Sequence, residues 1–220
     1  MIGAINSLTR ICVRARRAAA GFAASCSGIA ATEFAVIVPL MLVALFGTVE
    51  FSSGVAIDRK VTLIARTLAD LTSQAKVVSD LDIANFRTAS NYIMMPYAPP
   101  APYPAPTTTI SELYIDPATG VARVQWSVGS APRTAGTPVA IPPSLIAVDA
   151  TGKIIPNQYV LYSEASFLYT PAVDFAMNST LPTFNLRDVA YTRPRQSTCV
   201  FYPSTPAIVP PATSPACPTL

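Results

Sequence analysis

Residues 28–51 read GIAATEFAVIVPLMLVALFGTVEF, and no side chain between Glu33 and Glu50 is charged. The apolar run that begins at Ile29 has about 20 residues, and a helix of that length spans a hydrocarbon core of about 30 Å. The stretch therefore predicts a single transmembrane helix over residues 29–55.

Basic residues are concentrated before this helix. Four arginines and no acidic residue precede Gly28, namely Arg10, Arg14, Arg16 and Arg17. The positive-inside rule then predicts a cytoplasmic N-terminus and a C-terminal part on the other side of the membrane. Of the 15 Lys and Arg, 11 remain beyond Gly28 against 12 Asp and Glu, so no basic surface for nucleic acid is expected there.

Two residues of the apolar run are unusual for a membrane helix. Glu33 is a carboxylate in a segment where a charge costs about 2.5 to 3.5 kcal/mol at the centre and less near an interface. Glu33 either pairs with a cation or marks the cytoplasmic interface with its side chain reaching out to water. One such cation is the α-amine that Ile29 would gain if the chain were cut after Gly28. Pro39 removes one backbone donor and predicts a helix kink.

The order of basic leader, Gly28, four residues, Glu33, Phe34 and apolar helix is that of a type IV prepilin leader. On this layout residues 1–28 are the leader, and Gly28, Ile29, Glu33 and Phe34 are the processing residues. The chain resembles the TadE-like and TadG-like proteins of the tight-adherence (Tad) pilus-assembly system. The resemblance is carried by Gly28, Glu33-Phe34-Ala35, Pro39-Leu40 and Glu50-Phe51.

The resemblance implies a pilin-like (pseudopilin) component of a Tad pilus apparatus in the bacterial inner membrane, with a periplasmic or extracellular C-terminal domain. Its expected partners are the lipid bilayer, other pilin-like subunits, pilus-assembly membrane proteins and a prepilin peptidase. A second hypothesis stays open: an unprocessed, single-pass adhesion or envelope-binding module. Cleavage at Gly28 distinguishes the two.

After the apolar run, hydrophobic residues recur at alternating spacings of four and three: Ile57, Val61, Ile64, Leu68, Leu71, Ala75 and Val78. This pattern predicts that the helix continues as an amphipathic stalk to about Gln74. The stripe packs either on the protein's own domain or on helices of other subunits. Ser79-Asp80 begins a second helix that Met94-Met95-Pro96 ends, which completes a helical neck over residues 56–95.

A proline-rich linker over residues 96–106 leads into a β-rich head over residues 107–198. Four segments alternate like strands: Thr107–Ile115, Val121–Val128, Tyr159–Tyr169 and Val189–Thr192. In the second of them, alternation places Val124, Trp126 and Val128 on one face. The expected fold class is α+β, with a transmembrane and stalk helix followed by a small antiparallel sheet.

The cysteines fall into two groups. Cys12 and Cys26 lie in the leader, whereas Cys199 and Cys217 lie in the proline-rich tail of residues 199–220. Disulfides persist outside the cytoplasm, so Cys199 and Cys217 are expected to be bonded to each other, with free thiols as the alternative.

The chain lacks the usual residues of catalysis. It contains no histidine, no Gly-x-Ser-x-Gly elbow, no phosphate-binding glycine loop and no zinc-type Cys spacing. The sequence therefore predicts no enzyme activity, no metal, no cofactor and no small-molecule substrate.

Overall fold

The computed structural model describes residues 27–97, 105–171 and 183–202. Outside the described residues lie the expected leader up to residue 26, residues 98–104 of the linker, and residues 203–220 of the tail with Cys217. The chain divides into two compact units, Met1–Val49 and Glu50–Leu220, and the features of each are given separately.

Among the described residues, two helices precede the sheet. Helix α1 runs from Ser27 to Ser73 and includes Pro39. Helix α2 runs from Asp80 to Met94, so the second helix is confirmed. Its first turn is closed by a capping box, in which the Asp82 N–H donates to Ser79 Oγ and the Ser79 N–H donates to Asp82 Oδ2.

Five strands of the described residues form one antiparallel sheet, so the predicted α+β class is confirmed. They are β1 (Thr107–Ile115), β2 (Ala122–Gly129), β3 (Pro138–Val139), β4 (Gln158–Tyr169) and β5 (Phe184–Thr192). Their order across the sheet is β3-β2-β1-β4-β5. A 3₁₀ turn at Pro143–Leu145 lies in the β3–β4 connection. Strand β5 is longer than expected, and β3 was not expected because two residues carry no readable alternation.

The heptad stripe of α1 packs on the protein's own sheet. Ile57, Val61, Ile64 and Leu68 are at most 1% exposed and share a core with sheet residues Ile110, Trp126, Leu161 and Phe167. Of the two alternatives for the stripe, the structure therefore favours packing within the domain over packing on other subunits.

The predicted common face of Val124, Trp126 and Val128 is wrong. Glu112 of β1 pairs with Trp126 whereas the next residue, Leu113, pairs with Val124, so β2 has one extra residue at this point. This β-bulge reverses the alternation. Trp126 and Val128 therefore face the helices, whereas Val124 faces the opposite side of the sheet.

The face of the sheet turned away from the helices has a core of its own. Leu113, Val124, Val160 and Tyr162 are buried there under apolar residues of the β3–β4 connection, such as Leu145, Ile146 and Ile154. The sheet is therefore covered on both sides, by helices on one and by a loop on the other.

Candidate functional site

The first candidate site is the N-terminal half of α1, residues 28–49, called the anchor segment from here on. Its side chains are almost all exposed, including Phe34 at 69% and Val43 at 71%. The helix is long and apolar enough to cross a membrane and lies near the N-terminus. Large apolar side chains without a covering protein surface indicate that lipid or another helix covers them.

The expected processing residues lie in the first two turns of α1. A Cβ added at Gly28 would meet no atom within 4 Å, so this position is open. Ile29 and Glu33 are four residues apart, which places them on the same face of the helix. The Ile29 carbonyl accepts a 2.8 Å hydrogen bond from the Thr32 hydroxyl. Phe34 follows on the neighbouring face and is exposed.

Pro39 lies inside the helix, and α1 continues through it. Proline has no N–H, so the Ala35 carbonyl loses its helical donor at this point. The predicted kink at Pro39 stays a prediction.

Residues 28–70 match the family model described as TadE-like protein. Over this segment the chain is TadE-like. The predicted resemblance is thereby confirmed, and the match begins at Gly28 itself. A TadE-like segment indicates a component associated with Tad pili.

The TadE-like segment covers the anchor and most of the helical stripe, and it ends before the sheet. No curated protein and no solved structure matches the chain significantly.

Just beyond the anchor, Glu50 is tied to the sheet. The Tyr169 hydroxyl at the end of β4 donates a 2.5 Å hydrogen bond to Glu50 Oε2. Burial raises the pKa of Tyr169, and the hydrogen bond and charge of Glu50 raise it further, so the phenol remains the proton donor. An apolar groove of about 460 Å³ surrounds this pair, lined by Phe51, Val55 and Phe184 among others.

A buried carboxylate joins β1 to the chain segment after β5. Glu112 Oε2 accepts a 3.0 Å hydrogen bond from Trp126 Nε1, and Glu112 Oε1 accepts a 2.6 Å hydrogen bond from the Val200 N–H. The indole also donates to the Val200 carbonyl at 2.8 Å. Burial raises the pKa of Glu112 to about 8, against the lowering effect of these two donors.

Sequence reasoning did not single out Glu112. The available signal is its place two residues after Ile110 in a strand, which puts both side chains on the same face. A charged residue at a core-facing position is rarely buried without a partner, so this position in the strand pattern indicates a buried, hydrogen-bonded carboxyl group.

Cys199 is disulfide-bonded, and its side chain is buried beside Tyr114 and Tyr159. Its expected partner, Cys217, lies outside the described residues. The pairing of these two cysteines stays a prediction.

Groups that could ligate a metal ion do not cluster in the part of the chain that the structure describes. No group of three or more His, Cys, Asp or Glu side chains there could hold a metal ion. The most distinctive chemistry of the described residues is instead the apolar anchor with a carboxylate near its start.

Proposed function

We propose that the protein is a pilin-like structural component of a Tad pilus apparatus, anchored in the bacterial inner membrane with its N-terminus in the cytoplasm. The observation that carries the proposal is the position of the TadE-like match. It begins at Gly28 and includes the entire exposed, apolar anchor segment. The family assignment and the physical need for an apolar partner therefore fall on the same residues.

The anchor segment has two successive environments in this account. Before assembly, its exposed apolar side chains lie in lipid. During assembly they pack against the equivalent helices of other pilin-like subunits. Each Å² of apolar surface kept from water contributes about 25 cal/mol, so either environment is strongly preferred to water.

Glu33 makes the packing of the anchor segment against other subunits specific. When the bond after Gly28 is cut, Ile29 gains an α-amine, whose charge is opposite to that of the Glu33 carboxylate. The two groups are on one helix face, and an equivalent pair is present on each neighbouring subunit. A carboxylate away from water requires such a partner, so pairing between subunits would align their helices.

Processing is compatible with the local structure. Gly28 is the second residue of α1, in the first turn, whose N–H groups have no partner within the helix. Unwinding one terminal turn therefore breaks few hydrogen bonds. A prepilin peptidase at the cytoplasmic face would reach the Gly28–Ile29 bond in this way.

Site-specific photo-crosslinking in the host tests this function. A photoreactive amino acid at Phe46, which is 53% exposed in the anchor, is expected to crosslink to other pilus proteins. The same group at Leu81 of α2, 69% exposed, is the matched control and should give no such product. If neither position crosslinks to pilus proteins, the result would instead support an unprocessed membrane-anchored module.

A further inference from the structure

A polar pocket of about 340 Å³ lies at one end of the sheet, on the face turned away from the helices. Glu164 is two residues from Tyr162 on β4, so both point to the loop-covered face. Polar residues from β1, β4, β5 and the segment after β2 line the pocket, among them Thr107, Arg133, Glu164, Ser166, Asn185 and Arg187.

Two arginines share one carboxylate in this pocket. Arg133 donates from Nε to Glu164 Oε2 and from Nη2 to Glu164 Oε1, both at 2.8 Å. Arg187 Nη2 donates to Glu164 Oε1 as well. Burial raises the pKa of Glu164, but the hydrogen bonds from both arginines outweigh it and leave the pKa below its ordinary value. The cluster therefore carries one carboxylate against two guanidinium groups, a net charge of +1.

Arg133 is fixed before any ligand arrives. Its guanidinium lies over the Tyr162 ring, 5.4 Å from the ring centroid, and its backbone N–H donates to Ser127 Oγ at 2.9 Å. A bidentate ion pair, a ring contact and a backbone hydrogen bond leave this side chain little rotational freedom. The positive wall of the pocket is thus preorganised.

Arg187 contributes more charge than the ion pair requires. Arg133 alone already satisfies Glu164 in a bidentate geometry, whereas Arg187 remains 56% exposed. Within the described residues, Arg187 uses only Nη2 in a protein contact, which leaves its Nε and Nη1 donors for a ligand. A guanidinium with free donors in a pocket matches the planar geometry of a carboxylate.

We propose that this pocket binds the carboxylate of an acidic sugar, such as a uronic acid residue of a surface polysaccharide. The net charge of +1 suits a monoanion. The hydroxyls of Thr107 and Ser166, 2.5 Å apart, and the Asn185 amide provide hydrogen-bonding groups for sugar hydroxyls beside the guanidinium groups. The volume lies at the lower end of the range for small-ligand sites, about 300 to 1,000 Å³, so the pocket fits one sugar unit.

The test is calorimetric titration of full-length protein in detergent with glucuronate, glucose and inorganic phosphate as separate probes. Glucuronate is expected to bind at least tenfold more tightly than glucose, which has the same hydroxyls without the charge. It should also bind more tightly than phosphate, which lacks the ring hydroxyls. Added salt should weaken glucuronate binding.

Arg187→Gln should weaken glucuronate binding at least tenfold. Arg187 is exposed and Arg133 still pairs with Glu164, so this variant is expected to fold. Arg87→Gln on α2 removes one exposed charge elsewhere and is the matched control, with unchanged affinity expected. Asn185→Ala, a second pocket variant, should weaken glucuronate binding severalfold and leave phosphate binding unchanged.

Equal affinity for glucose and glucuronate, or tighter binding of phosphate, would overturn the proposed ligand class. Unchanged glucuronate affinity in Arg187→Gln would show that the two arginines only hold the sheet together. The titration of purified protein does not depend on processing at Gly28 or on membrane orientation, so the proposed ligand can fail while the proposed function stands.

Discussion

The indole Nε1 of Trp126 donates a 3.0 Å hydrogen bond to the fully buried carboxyl group of Glu112. The same carboxyl group accepts from the Val200 N–H, so one side chain connects two central strands to the segment after β5. Trp126 is the only tryptophan of the chain, and its fluorescence therefore reports on this site directly.

The first prediction concerns pH. The pKa of Glu112 is raised from 4.5 to about 8 in the folded state, so the folded protein holds a proton that the unfolded chain releases. Stability from this group is complete below about pH 4.5 and is lost as the pH rises toward 8. The free energy of unfolding should fall by up to about 1.4 kcal/mol per pH unit in this window.

Denaturant unfolding followed by Trp126 fluorescence at several pH values measures this slope. The chain has no histidine, and Glu164 has a lowered pKa, so neither adds a slope between pH 5 and 8. Glu112→Gln should be less stable than the wild type by about 1 to 3 kcal/mol. The amide nitrogen cannot accept a hydrogen bond from the donor that faces it, which is either the Trp126 indole or the Val200 N–H. Between pH 5 and 8 the stability of this variant should no longer depend on pH, and a slope like that of the wild type in this range would refute the assignment.

Features set by residues close together in the sequence could be predicted, whereas features set by distant residues could not. The α2 start at Ser79 was predictable because a capping box involves residues three apart. The faces of β2 were predicted wrongly because the bulge opposite Glu112 and Leu113 is set by strand pairing and not by β2 alone. The pocket at Glu164 joins Arg133 and Arg187, which lie 31 and 23 residues away, so no motif could reveal it.

The second prediction tests how the stripe of α1 packs. Leu68 is 1% exposed in the core under the sheet, whereas Leu63 of the same helix is 51% exposed. Leu68→Ala should reduce the free energy of unfolding by about 2 to 5 kcal/mol through lost contacts and a cavity. Leu63→Ala, the matched control, should change it by less than about 0.5 kcal/mol. Similar small effects for both variants would favour a stripe that packs on other subunits.

The third prediction is a disulfide between Cys199 and Cys217. Cys199 is disulfide-bonded, and Cys217 is the other cysteine beyond the anchor. Peptide mapping of non-reduced protein from its host should recover one linked peptide that contains both residues. A linkage from Cys199 to Cys12 or Cys26 would contradict the proposed topology, since it would join the two sides of the membrane.

The fourth prediction separates insertion from assembly. Glu33→Gln removes a charge from the membrane segment, so the amount of membrane-inserted protein should stay the same or rise. Piliation should fall sharply, because the Ile29 amine of a neighbouring subunit would lose its partner at a cost of about 3 to 5 kcal/mol. Quantitative immunoblots of membrane fractions and counts of surface pili measure the two effects.

Thr32→Ser is a suitable control for Glu33→Gln, because it changes a neighbouring polar residue and keeps the hydroxyl that binds the Ile29 carbonyl. It should leave both insertion and piliation unchanged. Normal piliation with Glu33→Gln would mean that Glu33 only marks the membrane interface.

The most direct test of the central claim is the intact mass of the protein isolated from host cells with and without the prepilin peptidase. We expect a mature chain that begins at Ile29 in the wild type and an uncleaved chain in cells without the enzyme. Gly28→Ala should block cleavage while leaving the helix intact, because an added Cβ at Gly28 meets no atom within 4 Å. Gly47→Ala, equally open within the anchor, should be cleaved normally. An unprocessed wild-type chain in cells that contain the peptidase would contradict the pilin-like account.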